Sequence, residues 1–128
     1  MRTVEILGRR LELQGSPYTL LVFREEFGGD LFAHLNDVAR SETVDIEGYL
    51  RVIWAMNATV TDKAGCYAEW LRAFDAGEFS IEEGVGCVPV MDSAIAAEMF
   101  RGRKTGIIAR LKRQLSRLLG SLSGRLGA

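Results

Sequence analysis

The chain begins with alternation. In "TVEILGRRLEL" Val4 and Ile6, and then Leu11 and Leu13, are apolar between polar neighbours on either side of a Gly8-Arg9 turn. Period two predicts a short antiparallel hairpin, and because two strands alone are marginal in water its apolar face must rest on the helices that come after it. The period then changes. Ser16 offers an N-cap and Pro17 a first-turn proline for a helix running to about Phe27. Around that helix Tyr18, Leu20, Leu21, Val22, Phe23 and Phe27 cover most of the circumference, interrupted by Thr19, Arg24, Glu25 and Glu26. A helix so apolar is either central to a core or covered by a partner.

Gly28-Gly29 breaks it, and Asp30 can cap a second helix with Leu31, Phe32, Leu35, Val38 and Ala39 on one face. After "SETVD" a third helix is expected over about 46 to 60, where Ile46, Tyr49, Leu50, Ile53, Trp54 and Val60 share a face with Asn57 in its middle. "TDKAG" ends it. "CYAEWLRAFDAG" predicts a short fourth helix, with Tyr67, Trp70, Leu71 and Phe74 at helical spacing and a stop at Gly77. "FSIEEGVGCVPV" reads as irregular because Gly84, Gly86 and Pro89 each disfavour helix, and a helical stripe returns with Met91, Ala94, Ile95 and Met99. Last, in "TGIIARLKRQLSRLLGSL" the residues Ile107, Ile108, Leu111, Leu115, Leu118, Leu119 and Leu122 share one face, with Arg110, Lys112, Arg113, Gln114, Ser116 and Arg117 outside it. That is the pattern of a basic amphipathic helix, ahead of a Gly/Ser-rich, flexible end.

The expected fold is therefore mainly α: a short N-terminal β-hairpin packed on a bundle of about five helices, plus a basic amphipathic C-terminal helix. Residues 1–102 are expected to form one domain and 103–128 the helix and tail.

Composition adds an asymmetry. The chain of 128 residues has a formal charge of -1, yet residues 1–100 hold 17 acids against 8 bases, while 101–128 hold 8 bases and no acid. The body stands at -9 and the tail at +8. The tail is compatible with four partners: the acidic body of its own or another copy, an acidic helix of another protein, nucleic acid, or an anionic membrane surface. It has no aromatic residue, which argues against base stacking on single strands, and its leucine density favours docking in a groove. Its candidate contact residues are Arg110, Leu111, Leu115, Arg117 and Leu118. "MRTVEILGRR" has no apolar signal core and no run approaches the roughly 20 apolar residues that span a bilayer, so a cytoplasmic protein is expected.

Candidate chemistry is sparse. Gly28-Gly29 follows a helix, outside any GxGxxG or GxxxxGK[ST] pattern, and reads as a helix break rather than a phosphate loop; "EEGVG" fails the same test. His34 has no second histidine and reads as a boundary residue rather than a metal ligand or base. Glu25 and Glu26 point about 100° apart on a helix, too divergent to flank one bond, and read as a solvated or partner-facing acidic edge. Cys66 and Cys87, 21 residues apart, match neither a zinc motif nor a disulfide framework. Asn57 on an apolar face needs a partner, whether an internal hydrogen bond or a subunit contact. No catalytic set, metal site or cofactor site emerges, and the residues alone describe a small helical binding module.

Taken in order, "TVEILGRRLELQGSPYTLLVFREEFGGDLF", "YLRVIWAMNAT", "EWLRAFDAGEF" and "VMDSAIAAEMFRG" resemble the tail assembly chaperones of long-tailed bacteriophages and prophages, in the form typical of Gram-positive hosts. The likeness covers about residues 1 to 102, and no family motif matches the tail after Gly102. The resemblance implies a non-catalytic, mainly helical, self-associating protein of the host cytoplasm, absent from the mature virion. It would hold the aggregation-prone tape measure protein in solution and bring tail tube protein to it. Under that reading the candidate partner-facing residues are Tyr18, Leu21, Val22, Glu25 and Phe27, with Trp54 and Trp70 as aromatic anchors. The rival reading is a small regulator that uses the basic C-terminal helix on nucleic acid.

Overall fold

The computed structural model describes residues 1–100. They form a two-stranded antiparallel hairpin, β1 (Arg2–Ile6) and β2 (Arg9–Leu13), followed by α1 (Pro17–Phe27), α2 (Leu31–Arg40), α3 (Ile46–Val60), α4 (Tyr67–Arg72) and α5 (Ile81–Met99). The expected hairpin-on-helices architecture is what the structure has. The expected C-terminal helix and its candidate contact residues Arg110, Leu111, Leu115, Arg117 and Leu118 lie outside the described residues.

The hairpin turns at Leu7-Gly8, one residue earlier than the sequence suggests. Both residues have positive φ, 51° and 79°, the pair a primed two-residue turn demands. Glycine takes that conformation freely, whereas Leu7 accepts a cost of about 1 kcal/mol because its side chain packs against the core. Ile6 and Arg9 then pair, with Val4 opposite Leu11 and Arg2 opposite Leu13, which puts Ile6, Leu11 and Leu13 on the buried face. In a two-residue hairpin these are the hydrogen-bonded pairs, so Glu12 turns its carbonyl to the outer edge. There Asn57 Nδ2 of α3 donates to it at 2.9 Å, and next to it the Gln14 N–H donates to the Met56 carbonyl at 3.2 Å. The edge of β2 is sewn to α3.

α3 is the central element: Val52, Ile53, Ala55 and Met56 are wholly buried, with α1, α5 and β2 around it. α1 begins as its sequence signals require. Ser16 Oγ accepts from the Tyr18 N–H while Thr19 Oγ1 accepts from the Ser16 N–H, and Pro17 takes the first helical position. It ends at Gly28 in the left-handed region (φ 75°), so the two glycines are the predicted helix break. Asp30 caps α2 and Asp45 caps α3. Phe32, expected on the buried face of α2, is instead partly exposed, with its ring 6.1 Å from that of Phe100.

Two further expectations fail. The fourth helix stops at Arg72, well before Gly77, and gives way to a 3-10 turn over Ala76–Glu78. The stretch "SIEEGVGCVPV", expected to be irregular, is the first half of a 19-residue helix. Ser80 Oγ caps it by accepting from the Glu83 N–H, and Glu82 and Glu83 complement the dipole of its first turn. Packing outweighs propensity here: Gly84 is the close approach to α3, where a Cβ would lie 2.9 Å from Ile46 Cδ1, and Val88, Met91 and Ile95 are fully buried.

Candidate functional site

The outward arc of α1 is where the sequence-derived candidates gather. Thr19 and Phe23 form its inner arc, fully or almost fully buried, with Phe27 packed beside them. Thr19 Oγ1 meets Thr59 Oγ1 at 2.6 Å, which ties α1 to α3. Tyr18 and Leu21, in contrast, keep 55% and 45% of their surface in solvent. Large apolar side chains this open on a well-packed helix form a surface that can meet another chain.

Beside this arc runs a groove of about 260 Å³ between α1, α3 and the 3-10 turn Asp62–Ala64. Tyr18, Val22, Trp54 and Ala58 form its floor and Glu25, Glu26 and Asp62 its acidic rim, and its open surface is more polar than apolar. Trp54 holds the far wall by donating its indole N–H to the Gly65 carbonyl at 3.2 Å. Beneath the floor lies an aromatic cluster: Phe27 meets Trp54 and Tyr67 edge-on at 5.6 and 5.0 Å, and Phe23 at 4.7 Å. Arg51 lies over the Phe27 ring at 5.2 Å and is bound by Glu47 at 2.8 Å, and that carboxylate also accepts from the Tyr67 hydroxyl. Burial, then the bond to Glu47, holds the Tyr67 phenol well above its ordinary range. The groove therefore stands on a rigid support.

Of the seven candidate partner-facing residues, the structure brings Tyr18, Leu21 and Glu25 to this surface, whereas Val22, 9% exposed, belongs to the core and shows only in the groove floor. Phe27 is half-buried beneath it. The two tryptophans are corrected: Trp54, 3% exposed, shows only an edge in the groove floor, and Trp70, 1% exposed, is wholly internal. Trp70 donates its indole N–H to Asn57 Oδ1 at 3.1 Å, and its ring is capped by the Arg9 guanidinium at 5.3 Å, so it anchors the hairpin rather than a partner. The sequence reading missed Asp62 and Ala58, which reach the groove only because the end of α3 lies beside α1. It also missed an apolar hollow of about 400 Å³ between Leu7, Leu50, Leu71, Phe74 and Phe79.

The remaining polar residues have structural partners. His34 donates from Nε2 to the Gly48 carbonyl at 2.8 Å and packs on Phe23. Asn57 uses both ends of its amide internally, toward Glu12 and Trp70. Tyr49 is held neutral by burial and by the carboxylates of Asp92 and Asp45, which push its phenol far above its ordinary range. Cys66 is exposed and Cys87 half-buried, both as free thiols. Among the described residues no three His, Cys, Asp or Glu side chains converge to hold a metal ion, and no helix is long and apolar enough to cross a membrane.

No family model matches the chain, and neither a curated protein nor a solved structure matches it.

Proposed function

We propose that the chain is a tail assembly chaperone of a long-tailed phage or prophage, and that the outward arc of α1 with its acid-rimmed groove receives an amphipathic helical segment of the tape measure protein. The observation that carries this reading is the exposure of Tyr18 and Leu21 on a helix whose inner arc is already packed. Such a surface suits an apolar client helix, which would bury Leu21, Tyr18 and the groove floor while its basic side chains meet Glu25, Glu26 and Asp62. The large negative charge of residues 1–100 then keeps the loaded complex soluble. Delivery of tail tube protein, self-association, action in the host cytoplasm and absence from the virion belong to the same proposal.

Co-expression tests it. The tape measure protein of the same phage, insoluble alone, is expected to become several-fold more soluble with this chain. Leu21→Asp removes about 1.5–3 kcal/mol of buried apolar contact, a loss of tenfold or more in affinity, while leaving the fold intact. An unchanged soluble fraction, or rescue by Leu21→Asp equal to the native chain, overturns the proposal. Tight retention of nucleic acid that weakens steeply with salt would establish the regulator instead.

A further inference from the structure

The register that turns the Glu12 carbonyl outward on β2 acts on β1 as well. Thr3 and Glu5, opposite Glu12 and Arg10, turn their N–H and C=O groups to the outer edge of β1, and none of these groups is bonded among the described residues. We propose that two copies of the chain pair through this edge, β1 against β1 about a two-fold axis at Val4, with the outer faces of their α5 helices in contact beneath the joined strands.

An open strand edge is a template for another strand, and charge or shortness usually blunts it. The helix alongside favours pairing. From Gly84 to Ala97 the one charged residue of α5, Asp92, is buried, and the exposed positions are Gly86, Pro89, Val90 and Ser93. Val90 keeps 42% of its surface in solvent, and a Cβ at Gly86 would meet nothing within 4 Å. A helix face that stays in water normally carries charge, whereas this one is bare and small enough for a second helix to come close. Pro89, Val90 and Ser93 meet Arg2 and Val4 in a shallow, mainly apolar depression of about 340 Å³, so the strand edge and the helix face are continuous.

The charges at the two ends of this surface select a second copy as its occupant. β1 and α5 run in opposite directions: the hairpin turn at Gly8 lies beside Glu78, just ahead of α5, and Met1 lies against Glu98 near its end. Glu82 shares the face of Gly86, Pro89 and Ser93 at the first turn of α5, and Arg2 borders the depression toward the other end. The surface is therefore acidic at one end, uncharged in the middle and basic at the other. A two-fold axis through the middle sets Arg2 of each copy beside Glu82 of the other, which is the self-complementary match that an isologous interface requires. Val4 opposite its own counterpart also sets Thr3 opposite Glu5 of the other copy. Each such pair exchanges both of its backbone hydrogen bonds, and the two Glu5 side chains do not face each other. Tyr18 and Leu21 lie outside this surface. Pairing here would serve the self-association that belongs to the chaperone reading, and rests on that reading for its use alone.

Sedimentation of the full chain needs no client, so failure here is distinct from failure of the chaperone reading. A dimer is expected at about 100 μM. Thr3→Pro removes an N–H from the outer edge without touching the bonds to β2, and Val90→Arg puts a charge on the bare face of α5. Each should raise the dissociation constant about tenfold or more with an unchanged circular dichroism spectrum, while Leu21→Asp should leave it as it is. Arg2→Glu should weaken the dimer, and adding Glu82→Arg should restore it. In a chain with Cys66→Ser and Cys87→Ala, Val4→Cys should form an intermolecular disulfide on mild oxidation, because its Cα would stand about 4.5 Å from its counterpart, and Glu5→Cys, offset from its own, should not. A monomer at that concentration, a dimer that survives both Thr3→Pro and Val90→Arg, or a cross-link that forms as readily at position 5 as at position 4 would each overturn the proposal.

Discussion

Asn57 is bonded at both ends of its amide inside the core, and its removal should be felt accordingly. Its amide donates to the Glu12 carbonyl on the outer edge of the hairpin and accepts from the Trp70 indole, and only 6% of the residue is exposed. Asn57→Ala leaves the buried Trp70 N–H without a partner, at about 1–3 kcal/mol, and takes the donor from the part-buried Glu12 carbonyl, at about 0.5–1.5 kcal/mol. A total of about 2–4 kcal/mol is a large part of a stability that for such a domain is about 5–15 kcal/mol. It should lower Tm by about 10 °C or more. Urea unfolding followed by far-ultraviolet circular dichroism measures it, with an unchanged m showing that the folded state keeps its extent. Asn57→Asp sharpens the test. Its carboxylate still accepts from Trp70 but faces the Glu12 oxygen with no proton to offer, so burial and that oxygen raise its folded pKa above the unfolded value of about 3.9. A raised carboxyl pKa means that the unfolded state ionises first: stability falls as pH rises from the unfolded to the folded pKa, and returns on acidification as the protonated group donates to Glu12. A cost for Asn57→Ala below about 0.5 kcal/mol, the level of an ordinary surface change, would refute the bridging role. So would Asn57→Asp showing the same pH dependence as Asn57→Ala.

Three further outcomes are expected. Gly86→Ala, where a Cβ would meet nothing within 4 Å, should stabilise by about 0.5–1 kcal/mol through helix propensity; Gly84→Ala should gain little or lose stability, since its Cβ meets Ile46. Thermal unfolding of the two variants side by side decides it. Arg9 lies over both Trp70 and Phe74 and donates to the Trp70 carbonyl at 2.8 Å, so Arg9→Ala should cost about 1–2 kcal/mol in urea unfolding and Arg9→Lys should recover only part of it. Tyr49 and Tyr67 are held protonated in the fold, so the unfolded chain loses their protons first and stability should fall as pH rises above about 10; Tyr49→Phe with Tyr67→Phe should flatten that alkaline limb.

What could be read from the sequence was whatever depends on local chemistry. The hairpin, α1, α2 and α3 each announce themselves through alternation, a cap or a proline within a few residues of where the structure begins them. The elements read wrongly are those where distant contact outweighs local preference. α5 runs straight through Gly84, Gly86 and Pro89 because Val88, Met91 and Ile95 are buried against α3 and the hairpin. The signal for its start was present in Ser80 and Glu83, three residues apart, but three helix-disfavouring residues masked it. Leu7 at positive φ could not be foreseen, since only its packing offsets the strain. The candidate surface was legible in part for the same reason. Periodicity identifies α1 as apolar nearly all round, but only the fold decides that Phe23 faces inward while Tyr18 and Leu21 face out.

That division is what makes a binding role for α1 physically economical. The interior takes what it needs from Thr19, Phe23 and Phe27, and the helix is fixed by its capping box, by the bond between Thr19 and Thr59, and by the Phe27 ring packed on Trp54 and Tyr67. Polar residues at 18 and 21 would therefore cost the folded monomer little and spare it an exposed apolar strip. Such an exposed apolar strip suits a surface that another chain covers. A client that binds the folded state and not the unfolded one would raise the stability of α1 in step with its occupancy. Hydrogen exchange of the α1 amides should accordingly slow when tape measure protein is added. In the chain with Leu21→Asp the slowing should be much smaller. Equal slowing in the two chains would mean that the outward arc of α1 is not where the client binds.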